Sequence, residues 1–251
     1  MLLSAHVGRG DRRYLTVHWN FPLAPVVVTV TASVDASVDD EFNRWYDEDH
    51  LPRSLACPGF LAGARYRSSD DKDRQYLSLY VVESEETMAT PELAAIRGFE
   101  HLTPHVRYDR RIFRPASGTV IRTPSERSDL APHPAIGVTR ASVAADHDDE
   151  FNRWYEDRHL PQTISCPGFR AGTRYVTSDG LEKSYLALYV IDSEDAFETP
   201  ELAAIRGFEH LTPYVTYDRR IYRPLVSIDN DSGEVTRFDG QNDPSPNAVS
   251  A

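Results

Sequence analysis

From Val26 to Ser33 the chain is a β-branched apolar run bounded by turn residues, which predicts a strand. Asp39 or Asp40 is placed to cap a helix from about Glu41 to Leu51, because acidic groups are favoured at a helix start. Pro52 is expected to stop that helix, since proline lacks the amide needed to continue it. After a Cys57-Pro58-Gly59-Phe60 turn, Leu61–Ser68 and Gln75–Val82 predict two strands around a polar turn. Pro91 opens a second helix at the position proline tolerates best, Gly98 marks a possible end, and Tyr108–Arg114 is a last strand. The order β-α-β-β-α-β is the split βαβ, or ferredoxin-like, arrangement. In the third segment Leu77, Leu79 and Val81 alternate with Tyr76, Ser78 and Tyr80. The aliphatic set is expected to face the helices and the tyrosines the opposite face of the sheet.

The same pattern then recurs. DDEFNRWYDEDHLPRSLACPGF from Asp39 matches DDEFNRWYEDRHLPQTISCPGF from Asp148, and TPELAAIRGFEHLTP occurs twice, from Thr90 and Thr199. His50 and His159 lie 109 residues apart, and so do His101 and His210. Two copies are too few for a solenoid and fit a fused dimer with a pseudo-twofold interface. The expected organisation is an N-terminal extension (1–24), a first unit (25–115), a Pro- and Ser-rich linker (116–134), a second unit (135–225) and a flexible polar tail (226–251). The fold class is α+β. Two four-stranded sheets with Tyr-bearing faces (Tyr76 and Tyr80; Tyr185 and Tyr189) would cover each other as an eight-stranded, Tyr-lined barrel.

Composition narrows the partners. The net charge of −12 makes nucleic acid and anionic membrane poor ones, and no apolar run is long enough to span a bilayer. The N-terminus carries no leader-like apolar stretch, so a cytoplasmic location is expected. Cys57 and Cys166, at equivalent places, read as buried thiols in a reducing compartment.

Candidate chemistry gathers on the first helix. Asn43, Tyr46 and His50 fall on one stripe, repeated as Asn152, Tyr155 and His159. Asp47 and Glu156 lie three residues before each histidine, at a spacing that lets a carboxylate take a ring N–H and raise the imidazole's basicity. That makes His50 and His159 candidate general acid/bases; the competing reading is a histidine suited to the helix C-terminus. Tyr76, Tyr80, Tyr185 and Tyr189, with Tyr66 and Tyr175 on the neighbouring strand, are either oxyanion donors that bind substrate or aromatic filling. His101 and His210 read as surface or helix-end histidines, and Arg97 and Arg206 as helix-surface charges. Of Arg110-Arg111, and of Arg219-Arg220, at most one of each pair points inward, where it would suit a substrate carboxylate. His50, Asp47 and His101 do not have diagnostic metal-ligand spacing, so no metal is expected.

The segment EFNRWYDEDHLP followed by CPGF resembles the EthD-like branch of the dimeric α+β barrel superfamily. The matching positions are Tyr46, His50, Pro52 and Pro58-Gly59-Phe60, repeated as Tyr155, His159, Pro161 and Pro167-Gly168-Phe169. The resemblance covers both repeats but not the extension, linker or tail. It implies a fused version of a homodimeric fold, able to dimerise further, with the histidine as the functional suspect. It also implies a wide range of chemistry, since fold alone does not fix reaction. The leading expectation is a cofactor-independent enzyme of lyase or isomerase type, cyclase- or dehydratase-like. It would carry out isomerisation, cyclisation or elimination on a small hydrophobic or aromatic carbonyl, phenolic or lactone-like molecule. The rivals are a monooxygenase, with oxygen activated by substrate or by heme, and a non-catalytic small-molecule-binding stress-response protein.

Overall fold

The first strand, β1 (Val26–Val34), pairs on one side with β3 (Gln75–Val82) and on the other with β4 (Val106–Arg122), all antiparallel. β2 (Phe60–Ser68) adds to β3, giving the order β2-β3-β1-β4 expected of a ferredoxin-like unit. The second copy repeats it with β5 (Ala135–Val143), β6 (Phe169–Thr177), β7 (Tyr185–Ile191) and β8 (Val215–Asp229), in the order β6-β7-β5-β8. This computed structural model describes residues 25–69, 75–122, 135–230 and 232–238. The N-terminal extension with its strand-like Tyr14–Trp19 stretch, the tip of the β2–β3 turn, linker residues 123–134 and the tail beyond 238 lie outside the described residues.

The two sheets close on each other into an eight-stranded barrel through the ends of β4 and β8. β4 leaves its own sheet to pair with β6, and β8 pairs with β2. A short strand β9 (Val235–Arg237) adds to β8 outside the closed ring. Both boundaries drawn from the sequence therefore move. The first part of the linker continues β4, and the start of the tail continues β8; Asn230 then ties it down by donating to the carbonyls of Leu55 and Phe60 at 2.7 and 2.8 Å. Proline and polar composition suggested loops there, but strand pairing with the other copy overrides that local preference.

Alternation along the strands is as expected, but the faces are reversed. Leu77, Leu79 and Val81 point into the barrel with Val27, Phe113 and Leu188, while Tyr76 and Tyr80 join the core under the helices. The physical reason is the phenolic hydroxyl, which needs a partner once buried. The helix side offers Asp39 and Tyr46; the aliphatic barrel interior is the better place for leucine and valine. Tyr66 and Tyr175 do sit in the barrel.

The first helix also differs from expectation. α1 (Asp39–Trp45) passes through a π-helical turn, Tyr46–His50, into α2 (Leu51–Leu55), so it continues past Pro52. Leu51 N–H reaches back five residues to the Tyr46 carbonyl, and Pro52 then stands in the first turn of a fresh α segment, where no amide is required. α4 (Asp148–Trp154), the turn Tyr155–His159 and α5 (Leu160–Ile164) repeat this. Asp39 is the first residue of the helix, with Val38 at the cap position, and its carboxylate accepts from Tyr76. The second helix, α3 (Pro91–Ile96), is capped by Thr90, and the chain turns away through Gly98 at φ 105°; α6 (Pro200–Ile205) matches it with Thr199 and Gly207. No described helix is long and apolar enough to cross a membrane.

Candidate functional site

Each copy holds a pocket between its helices and the outer face of its sheet. The π-helical turn supplies Tyr46 and His50, β3 supplies Tyr80, α2 supplies Ser54, and the segment after α3 supplies Phe99. The pocket together with the open solvent at its mouth spans ≈ 550 Å³. The second pocket, with Tyr155, His159, Tyr189 and Thr163, spans ≈ 470 Å³ on the same footing. π-helical turns are rare and cluster at functional sites, because the extra residue re-aims a side chain. Here it carries the tyrosine at its start and the histidine at its end.

His50 is wedged among rings. It stacks on Trp45 with centroids 4.7 Å apart and meets Tyr46 edge-on at 4.8 Å; His159 repeats both contacts with Trp154 and Tyr155. Burial, reinforced by the charge of Arg53, lowers the His50 pKa to about 4. Burial does the same for His159, also to about 4. Both imidazoles are neutral at pH 7, and the buried Nδ1 of His50 has no hydrogen-bond partner among the described residues. Beside them the hydroxyls of Tyr46 and Tyr80 meet at 2.9 Å, and those of Tyr155 and Tyr189 at 2.6 Å. Burial holds all four phenols above their usual range, so they stay protonated.

The carboxylates expected to orient the histidines do something else. Asp47 pairs with the buried Arg65, and Glu156 accepts from Arg174 at 2.9 Å. Arg65 is 0% exposed, and its guanidinium lies 4.3 Å from the Tyr46 ring centroid; Arg174 lies 4.2 Å from that of Tyr155. A buried guanidinium is far costlier to leave unpaired than an imidazole N–H, so the carboxylate goes to it. The widened helical turn also breaks the regular spacing that would have set residues 47 and 50 side by side. Asn43 belongs to the same polar layer: it donates to Tyr76 Oη at 2.8 Å and accepts from Arg65 at 3.0 Å. Asn152, Tyr185 and Arg174 repeat the layer.

The structure thus brings Tyr46, His50 and Tyr80 together, with Tyr155, His159 and Tyr189 in the other copy. It sets Asn43, Asp47, Tyr76, Asn152, Glu156 and Tyr185 in a polar layer outside the lining, and Tyr66 and Tyr175 on the far face of the sheet. His101 and His210 are exposed and paired with Glu41 and Glu150. No group of three metal-ligating side chains occurs among the described residues. Cys57 and Cys166 are buried free thiols.

The sequence reading passed over the two buried arginines; Arg97 is exposed, as expected, and together with Arg110 it lines the first pocket. The one available signal was an arginine in the middle of a strand, at the same place in both copies. Arg111 points the other way, where its guanidinium binds Asp179 of the second copy at 2.7 Å. Burial would raise the Asp179 pKa, but hydrogen bonds from Arg111 and from the amides of Leu181 and Ile112 outweigh it and hold the carboxyl below its usual range.

No protein-family model matches the chain, and no curated protein does. Solved structures do. An anthrone oxidase-like protein superposes with a TM-score of 0.62 at 13% identity, covering 86% of this chain and 98% of its own. A candidate monooxygenase of Fusobacterium nucleatum subsp. nucleatum gives 0.57 at 10%, covering 86% and 99%. A variant of the chlorite dismutase of Candidatus Nitrospira defluvii gives 0.55 at 11%, covering 80% and 91%. At these identities the likeness establishes the architecture: the chain is a dimeric α+β barrel in which both halves lie on one polypeptide.

Proposed function

We propose that this chain is an oxygen-dependent enzyme, a monooxygenase or oxidase, acting on a small aromatic molecule that carries an acidic C–H or O–H bond. The observation that carries the reading is the neutral His50, aimed into an aromatic pocket beside two protonated phenols. A neutral imidazole is in the form that takes up a proton, and the negative charge formed on the substrate beside it would offset the burial that disfavours the imidazolium. Removing one from an activated CH₂ leaves the electron pair on the substrate as an enolate or phenolate, rich enough to reduce dioxygen. Carbon–oxygen bond formation gives a peroxide, which takes the proton back; loss of water then leaves a carbonyl. The balance is CH₂ + O₂ → C=O + H₂O, with no further reductant.

The proton-abstracting role read from the sequence is kept, while the lyase or isomerase outcome gives way to oxidation. The barrel's likeness to anthrone oxidase-like and monooxygenase-like proteins favours that change. The EthD-like kinship of the His50 segment is proposed alongside it. Against heme stands one feature of the pocket. An imidazole that ligates a metal nearly always donates its other N–H to an acceptor, and His50 Nδ1 is buried with none. The pocket therefore does not fit heme ligation through His50.

Oxygen uptake with anthrones and hydroxynaphthalenes tests the proposal. We expect consumption to stop under argon and on converting both His50 and His159 to Phe. Turnover unchanged under argon would return the chain to cofactor-free isomerisation or cyclisation.

A further inference from the structure

Each pocket has two arginines at its mouth and no acid among its lining residues. Arg97 and Arg110 line the first, and Arg206 and Arg219 the second. In a chain of net charge −12 that is a local reversal of sign. Arg97 donates to the Met88 carbonyl at 2.5 Å, which fixes it beside the pocket. Arg110, half-buried on β4, makes no hydrogen bond or ion pair among the described residues, unlike its neighbour Arg111. Its pKa is lowered by burial and then by the charge of Arg97, and Arg219 is lowered by burial and then by Arg206. A half-buried guanidinium beside a second, exposed one, in a pocket with no acid among its lining residues, is raised in energy until an anion arrives.

The apolar side of the mouth is equally unusual. Tyr108 is 55% exposed, and its ring lies 5.0 Å from that of Phe99. Tyr217, also 55% exposed, repeats this with Phe208. An exposed aromatic placed identically in both copies, against a buried one, is a platform for a flat ring.

We propose that each pocket binds an aromatic carboxylic acid, its carboxylate between Arg97 and Arg110 (Arg206 and Arg219) and its ring against Phe99 and Tyr108 (Phe208 and Tyr217). The inference deepens the reading of the same pocket as an enzyme site, because it fixes the charge of the substrate and which end enters last. Arg110 and Arg219 supply the unspent donors, since a guanidinium meets a carboxylate with two parallel N–H bonds. The arginines also concentrate such an acid at the mouth of a protein whose remaining surface repels it.

Calorimetric titration of the full chain with 2-naphthoate and with the neutral 2-naphthamide tests the proposal without any turnover. Naphthoate is expected to bind at least roughly tenfold tighter, and its advantage to shrink as salt rises. Arg110→Gln with Arg219→Gln should remove that advantage, so that acid and amide bind alike. Arg110→Lys with Arg219→Lys should retain part of it. Equal binding of acid and amide to the unaltered protein would overturn the proposal, and so would a Gln variant that still prefers the acid. Because binding is read directly, an oxygen-uptake failure leaves this result standing, and a naphthoate failure leaves the oxidation question open.

Discussion

The ring of Phe197 lies on the backbone of Gly137, so close that a Cβ at 137 would come within 2.5 Å of its Cζ. In the first copy the equivalent positions are Val28, fully buried, and Met88. Bulk has moved from the sheet to the loop before the second helix, which narrows the second pocket and gives Arg219 a ring to cover at 4.9 Å. Gly137→Ala should cost about 1–3 kcal/mol through overpacking, and much less in a Phe197→Met background. A double-mutant cycle by urea unfolding checks this; additive effects would mean the ring has room to move.

The same pair predicts ligand size. Phe197→Met should let the second pocket accept molecules that only the first accepts otherwise, so the number of sites for a three-ring aromatic acid should rise from one to two. Calorimetric stoichiometry reads this directly, and an unchanged count would place the size limit elsewhere.

The buried pair of Arg65 and Asp47 should dominate local stability. Asp47→Asn leaves a guanidinium buried among three aromatic rings without its counter-charge, and a loss of about 3–5 kcal/mol is expected. Arg65→Met combined with Asp47→Leu should recover most of it, because neither charge then remains in the interior. Denaturant midpoints of the three variants decide the matter.

The histidines set an acid limit. Both have folded-state pKa values lowered to about 4 from 6.5, so the unfolded chain binds protons first as pH falls. Their neutral form imposes no penalty above about pH 6.5. Between 6.5 and 4 each subtracts about 1.4 kcal/mol of stability per pH unit, and below 4 the loss levels off. Unfolding free energies at pH 7.5 and 5 should therefore differ less in the His50→Phe, His159→Phe variant than in the parent. Catalysis by a neutral imidazole should likewise hold steady from pH 8 down to about 5 and fall below it.

Much of this was legible in the chain. Two-residue alternation, the helix-opening Pro91 and the 109-residue repeat led directly to tandem ferredoxin-like units, because those signals occur in both copies. The direction of each strand face was not local. It depended on where Tyr76 and Tyr80 could find hydrogen-bond partners, and only the assembled helix layer supplies Asp39 and Tyr46. The orienting role of Asp47 failed for a related reason: α-helical spacing does not reveal a π-helical turn, nor that Arg65 would be buried opposite. The two copies differ at Asp49 and Arg158, and both residues lie in surface ion pairs. Arg53 binds Glu100 at 3.0 Å in one copy; Arg158 binds Glu209 at 3.1 Å in the other. The cation has changed position while the acid keeps a partner.

Strands β4 and β8 each begin in one sheet and finish in the other. A barrel made of two identical chains must duplicate every change in both of its pockets. Here a single chain completes both halves, so Met88 and Phe197 are written separately and a residue can alter on one side alone. The covalent join thus turns a symmetric pair of sites into two independently adjustable ones, free to take different molecules or to divide one task between them.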